Sequence, residues 1–195
     1  MEQLTESGNI LVVSGGEPIP PGTEEFIKIA LMGSSDMNPS GDGDWQSKFA
    51  HGLALVTSSD PGRGIIMYRG MKFLLMNCKS WGPGNPDMSF ENEEFVRKLN
   101  TDMDYAQGAD CIFFNFHKKS QAIFPILEFS NLVTSQKMVV RCSQEYMNYG
   151  FVRAMCERLQ VPLLPGATTS VLMVLQTMSA YIPKFQELAR LRLPE

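Results

Sequence analysis

The chain has 195 residues, 44% of them hydrophobic and 19% charged, with a formal net charge of -4. That is enough apolar material for one full core and does not require division into two domains. The acidic balance supplies no basic field for a nucleic-acid backbone, so polymeric DNA or RNA is not an expected partner, whereas single nucleotides are not excluded.

Residues 1–25 read as an N-terminal extension and entry loop, and 26–195 as a single α/β domain. Within the extension, Ile10-Leu-Val-Val13 suits an extra edge strand, and the Gly- and Pro-rich residues 15–25 suit a loop. Residues 26–32 predict the first buried strand. Gly33-Ser34-Ser35-Asp36 after it reads either as a plain strand-to-helix turn or as a polar turn whose N–H groups face an anion or a sugar hydroxyl.

Residues 44–56 predict a helix with Asp44 as N-cap and Trp45, Phe49, Leu53 and Val56 on one face. A short strand of an inserted hairpin is expected at 65–68, and the second main strand at 72–77. The Gly/Pro-rich loop 82–88, behind Trp81, reads as a lid. Residues 92–107 predict a helix with Phe95, Leu99, Met103 and Ala106 inward, and Asp102 beside that stripe.

The stretch 109–133 organises the rest. Cys111-Ile-Phe-Phe-Asn-Phe116 is a continuous apolar run suited to a strand buried on both faces of a parallel sheet. After the polar loop 117–121, Pro125 suits the first turn of a helix, because its missing N–H costs nothing there. Glu128 then falls about one turn into that helix, beyond the C-terminal end of the central strand, the edge at which open α/β sheets bind ligands. It reads either as a helix-dipole partner or as a chemical group. Burial would raise its pKa and the helix N-terminus would oppose the rise, leaving it ionised.

A buried strand at 137–142, a helix at 145–159 with Phe151, Met155 and Leu159 at helical spacing, and a fifth strand at 161–164 follow. Residues 168–193 predict one long helix broken or kinked near Pro183. Alternating strands and helices imply a flavodoxin-like or Rossmann-like three-layer sandwich with about five parallel strands. The four cysteines, Cys78, Cys111, Cys142 and Cys156, lack Cys-x-x-Cys spacing and read as reduced core thiols of a cytoplasmic protein. No apolar run approaches the ~20 residues of a membrane span. His51 and His117 lack the company of a metal site, so neither metal nor cofactor is expected.

Several of these stretches together carry a resemblance. Ile29-Ala-Leu-Met-Gly-Ser-Ser-Asp36 with Asp44-Trp45-Gln46, the central Ala109-Asp-Cys-Ile-Phe-Phe-Asn-Phe116, Pro125-Ile-Leu-Glu128 and Val152-Arg-Ala-Met-Cys-Glu-Arg158 resemble the nucleoside 2-deoxyribosyltransferase-like family over roughly residues 10–166. The resemblance implies that Glu128 is a nucleophile and that Asp102 contacts the nucleobase. It also implies a homo-oligomer acting on a small nucleoside and a free nucleobase, in purine and pyrimidine salvage. The chain departs from the family pattern at Asn77-Cys78-Lys79-Ser80, where such proteins carry Asn-Pro-Arg-Arg, at Asp102, where they carry Trp-Glu, and at Ser130, where they carry Gly.

The expected activity is transfer of 2-deoxyribose between bases through a deoxyribosyl-glutamate ester. Hydrolysis of deoxynucleosides or their monophosphates and a non-catalytic nucleotide sensor are the alternatives. Cleaving an N-glycosidic bond develops oxocarbenium character that a buried carboxylate stabilises or attacks, while a second carboxyl group serves the leaving base. Asp102 is the first candidate for the second role, with Asp36 as substitute, although a solvated helix face explains Asp102 as well. Gly33, Ser34, Asp36, Trp45, Asn115 and Ser120 are the candidate substrate-binding residues. Trp45 and Trp81 fit core or lid packing as readily as base stacking, and Asp110 fits a structural cap.

Overall fold

The computed structural model describes residues 9–14, 17–34, 45–58, 65–78, 91–120, 123–166 and 169–190. Six strands, β1 (Ile10–Ser14), β2 (Ile27–Gly33), β3 (Phe73–Asn77), β4 (Cys111–Phe116), β5 (Met138–Cys142) and β6 (Leu163–Pro165), form one sheet in the order β1-β3-β2-β4-β5-β6. Every pairing is parallel. The helices are α1 (Trp45–Thr57), α2 (Glu93–Gly108), α3 (Phe124–Leu132), α4 (Tyr149–Leu159), α5 (Val171–Tyr181) and α6 (Pro183–Arg190).

The strands are apolar on both faces because both are covered. Ala30, Met32, Leu74, Met76, Ile112, Phe114 and Phe116 pack with Tyr105 and Ala106 of α2, Phe129 of α3 and Val152 and Cys156 of α4. Ile27, Ile29, Leu31, Phe73, Leu75, Cys111 and Phe113 pack on the other side with Phe49 and Leu53 of α1, Val174 and Met178 of α5 and Phe185 of α6. The period of two along each strand therefore sorts the residues into two cores.

Without β1 the strand order is that of flavodoxin-like sheets, whose topological switch point falls between β2 and β4. The expected five strands become six because Ile10–Ser14 adds in parallel to β3, with Val12 opposite Leu75. The expected hairpin strand at 65–68 is instead a single 3-10 turn over Ile66–Tyr68, with Tyr68 N–H donating to Ile65 O. A short apolar run carries no periodicity that separates these outcomes.

The C-terminal helix breaks where proline requires it. Ile182 is extended at φ -104 and ψ 108, as the residue before a proline prefers. The preceding helix starts later than expected, at Tyr149, and it buries Val152 and Cys156 while Phe151 is 45% exposed. Met155 and Leu159 of the expected set pack against the same core, and Val152 takes the inner place expected of Phe151; residues 143–148 form turns that seat Tyr146 on Phe116, with ring centroids 5.1 Å apart.

At the switch point Gly33 has φ +113, and a Cβ built there would lie 2.2 Å from Asn115 O. Gly33→Ala should therefore destabilise the fold by about 2 kcal/mol or more, from both strain and collision. Gly108→Ala, at a helix terminus with nothing near its added carbon, should be neutral or slightly stabilising. Urea unfolding of the two variants beside the parent checks this contrast.

Candidate functional site

Two carboxyl groups come together on the α2–α3 side of the sheet. Asp102 is 1% exposed and lies within the buried stripe of α2 alongside Phe95, Tyr105 and Ala106, not beside it on a solvated face. Glu128 is 8% exposed on the inner side of α3. Helix α3 starts at Phe124, with Pro125 near its N-terminus and no acidic residue in its first turn. Glu128 is thus past the turn in which a helix end stabilises a negative charge, and the helix-dipole reading loses its footing.

Burial pushes Glu128 up from its ordinary value to about 8, and the nearby Asp102 charge adds to the rise. The expectation that Glu128 stays ionised at neutral pH is therefore corrected: desolvation outweighs the helix end. Its surroundings explain the strength of the effect. Phe129, the next residue, meets Phe116 edge-on at 5.5 Å and Phe114 at 5.8 Å, so α3 packs closely on the aromatic residues of β4 and its inner side is shielded from water.

Two further residues belong to this cluster. Cys78, just past the end of β3, directs its thiol at Met76 O, 3.7 Å, and Asp102 O, 3.8 Å. Its pKa is held well above the ordinary value by burial, and the Asp102 and Glu128 charges raise it further. Tyr105 is pushed up to about 12, first by burial and then by Cys78, Asp102 and Glu17. Its hydroxyl donates to Ser14 O at 3.2 Å and to Glu17 O, tying β1 and the entry loop to α2. Sequence reading treated Cys78 as a core thiol and passed over Tyr105. The available signal was Cys78's place directly after a strand, at the ligand-binding edge.

Gly33, Ser34, Asn115 and Trp45 form a second group, around the switch point. Ser34 N–H donates to Asn115 O at 2.8 Å, Ser34 Oγ accepts from His117 N–H at 3.0 Å, and Ser34 O accepts from the Trp45 indole at 2.9 Å. Ser34 is fully buried, and these bonds join β2, β4 and α1. Its amide is thus engaged by the sheet and does not face an anion. Trp45 packs edge-on against Phe113 at 5.7 Å, in the core. Ser120 is 2% exposed in the turn after β4, its N–H on His117 O at 3.0 Å.

Asp110 supports the scaffold: one carboxylate oxygen accepts from Lys28 N–H at 2.9 Å and the other pairs with Lys184 of α6. Asp36, Asp44, Trp81 and the lid expected at 82–88 lie outside the described residues. Among the described residues no group of His, Cys, Asp or Glu could hold a metal ion, and no helix is long and apolar enough to cross a membrane. A surface depression lined by Glu93, Arg97 and Asp104 runs along the solvated side of α2, away from the buried stripe that holds Asp102.

The raised pKa of Glu128 makes stability depend on pH. Between its ordinary value of 4.5 and about 8 the native state keeps a proton that the unfolded chain has released. Stability from this group is complete below the lower value and is lost as pH rises through the upper one, by on the order of a few kcal/mol. The melting temperature of the parent should therefore fall between about pH 5 and pH 8 relative to that of Glu128→Gln, which carries no titrating carboxyl group. Parallel slopes for the two proteins would remove Glu128 as the titrating group.

A scan against protein-family models finds no match for this chain and a search of curated proteins finds none, so a functional assignment rests on Glu128, Asp102 and the groups around them.

Proposed function

We propose that this protein transfers 2-deoxyribose between nucleobases, with Glu128 as nucleophile and Asp102 serving the leaving base. The observation that carries the reading is the buried Glu128–Asp102 pair beside the sheet's switch point. Structural carboxylates in such surroundings are ordinarily neutralised by a cation, as Asp110 is by Lys184. A buried Glu128 whose proton affinity is raised by burial and by the neighbouring Asp102 charge matches the needs of acid–base or nucleophilic chemistry.

The proposed steps balance. Ionised Glu128 attacks the anomeric carbon, the C–N bond breaks, and its electron pair leaves with the base, which takes a proton from the carboxyl form of Asp102. The deoxyribosyl ester on Glu128 is then attacked by a nitrogen of a second base, whose proton returns to Asp102 as the carboxylate is released. The proton that Glu128 must shed to attack equals in number the one the leaving base must gain. A pair holding one proton in total is thus the competent form. The resemblance described from the sequence favours deoxyribose over ribose as the transferred sugar.

Because Glu128 titrates near 8 beside a charged Asp102, the step near that value removes the pair's last proton, so kcat/KM for a deoxynucleoside should hold below about pH 8 and fall about tenfold per unit above it. Glu128→Gln should lose transfer by several orders of magnitude, and Asp102→Asn should slow cleavage most for bases that leave only when protonated. The test is incubation of wild type and both variants with deoxynucleosides and free bases, followed by chromatography. Mass spectrometry after treatment with a 2-fluoro-2-deoxynucleoside should add a fluorodeoxyribosyl group to the peptide containing Glu128. Near wild-type transfer by Glu128→Gln would sink the nucleophile assignment, and free sugar formed in place of a new nucleoside would turn the reading to hydrolysis.

A further inference from the structure

On the opposite face of the sheet, beside the switch point, three buried amide atoms have no hydrogen-bond partner among the described residues: Gln46 Oε1, Asn77 Oδ1 and Asn115 Nδ2. Their residues are 2%, 9% and 2% exposed. Buried polar atoms in native proteins are nearly always paired, and exceptions concentrate where a ligand or catalytic role supplies the reason. Their common location is the second observation. Alternation along β3 places Asn77 on the side of Phe73 and Leu75, and alternation along β4 places Asn115 on the side of Cys111 and Phe113, the face covered by α1.

Between these two strands β2 ends in Gly33, in register with Asn115, while Leu31 is in register with Asn77. The strand end between the two asparagines thus carries no side chain. Gln46 reaches the end of β2 from α1, its Nε2 donating to Leu31 O at 3.1 Å, which leaves Oε1 as the buried acceptor. The Cα atoms of Asn77 and Asn115 are two strand spacings apart and offset by the two residues between Leu31 and Gly33, roughly 10–12 Å in all.

We propose that Gln46, Asn77 and Asn115 form the subsite that holds the hydroxyl groups of an uncharged nucleoside, and that they select nucleosides over nucleoside 5′-monophosphates. The assignment of a nucleoside rests on the glycosyl-transfer reading of the carboxyl pair. The selectivity rests on the amides themselves. A hydroxyl group donates to Oε1 or Oδ1 and accepts from Nδ2, so it satisfies either kind of orphaned atom. A phosphate offers acceptor oxygens alone and brings charge toward two acceptor atoms, with no cation among the three residues to offset it. The amides therefore read the sugar from one side of the switch point while the carboxyl pair acts from the other.

The experiment is calorimetric titration of Glu128→Gln protein, which does not consume the ligand, with 2′-deoxyadenosine and thymidine, their 3′-deoxy and 5′-deoxy analogues, and their 5′-monophosphates. At least one nucleoside should bind tenfold or more tightly than one of its deoxy analogues and than its monophosphate. Adding Asn77→Leu or Asn115→Leu should remove that preference by weakening the nucleoside alone. The melting temperature should be unchanged or higher, since the substitution deletes an unsatisfied buried group. Asn77→Ala and Asn115→Ala make the same comparison if a leucine disrupts folding. Unchanged hydroxyl preference in the variants, equal affinity for monophosphates, or no nucleoside binding would overturn the subsite. Hydroxyl-dependent binding by a wild-type protein that cleaves no nucleoside would instead retain the subsite and overturn the transfer chemistry.

Discussion

Backbone contact between β2 and β4 at Gly33 and Asn115 is the constraint from which the rest of this molecule follows. A side chain at Gly33 would collide with the carbonyl of Asn115, and the left-handed φ of that residue turns the chain so that Ser34 N–H can reach the same carbonyl. Ser34 then holds His117 N–H and the Trp45 indole, so the loop after β4 and the start of α1 are fixed by one buried serine. The switch point is consequently rigid at its base. Groups held there keep their geometry without help from a ligand.

Around that point the protein gathers polar side chains that elsewhere in the sheet would be excluded. Glu128 and Asp102 lie toward α2 and α3, and Gln46, Asn77 and Asn115 toward α1. Each set costs folding free energy, the carboxyl pair through desolvation and mutual repulsion and the amides through lost hydrogen bonds. Concentrating such groups at strand ends while the strand interiors remain aliphatic and aromatic is the pattern expected where stability is given up locally for chemistry. The charged residues that serve the scaffold behave differently: Asp110 has both oxygens engaged, and Arg141 is tied to Gly166 O at 2.9 Å by its Nε.

Much of the fold was legible because the buried strands are written as unbroken β-branched and aromatic runs, and their alternation with amphipathic helices leaves few topologies open. Glu128 stood out for a related reason, as one carboxylate in the apolar run Ile-Leu-Glu-Phe. The misreadings came from signals with no length behind them. Residues 65–68 are too few to show a period, and the start of α4 was placed too early because the turns that seat Tyr146 lie directly before it. Asp102 was placed beside the inward stripe with base recognition and a solvated face both open, because helical spacing alone does not separate them. Its burial depends on what α2 packs against, which no local pattern records. The amide set was hidden more completely: its residues come from α1, β3 and β4, and only the register of three strands brings them to one place.

The N-terminal strand enters the same account through Tyr105. This residue follows Asp102 by three positions on α2, so the two share a helix face, and its hydroxyl holds the carbonyls of Ser14 and Glu17. Strand β1 pairs with β3 through five registered positions, ending with Ser14 opposite Asn77. The same end of the extension is therefore fixed both to α2, through Ser14 and Glu17, and to the strand that carries Asn77 and leads into Cys78. Covering β3 on its outer side also removes an exposed sheet edge next to the site. Residues that composition marks as an appendage are thus bound, through Tyr105, to the helix that carries Asp102, 91 and 88 positions further along the chain.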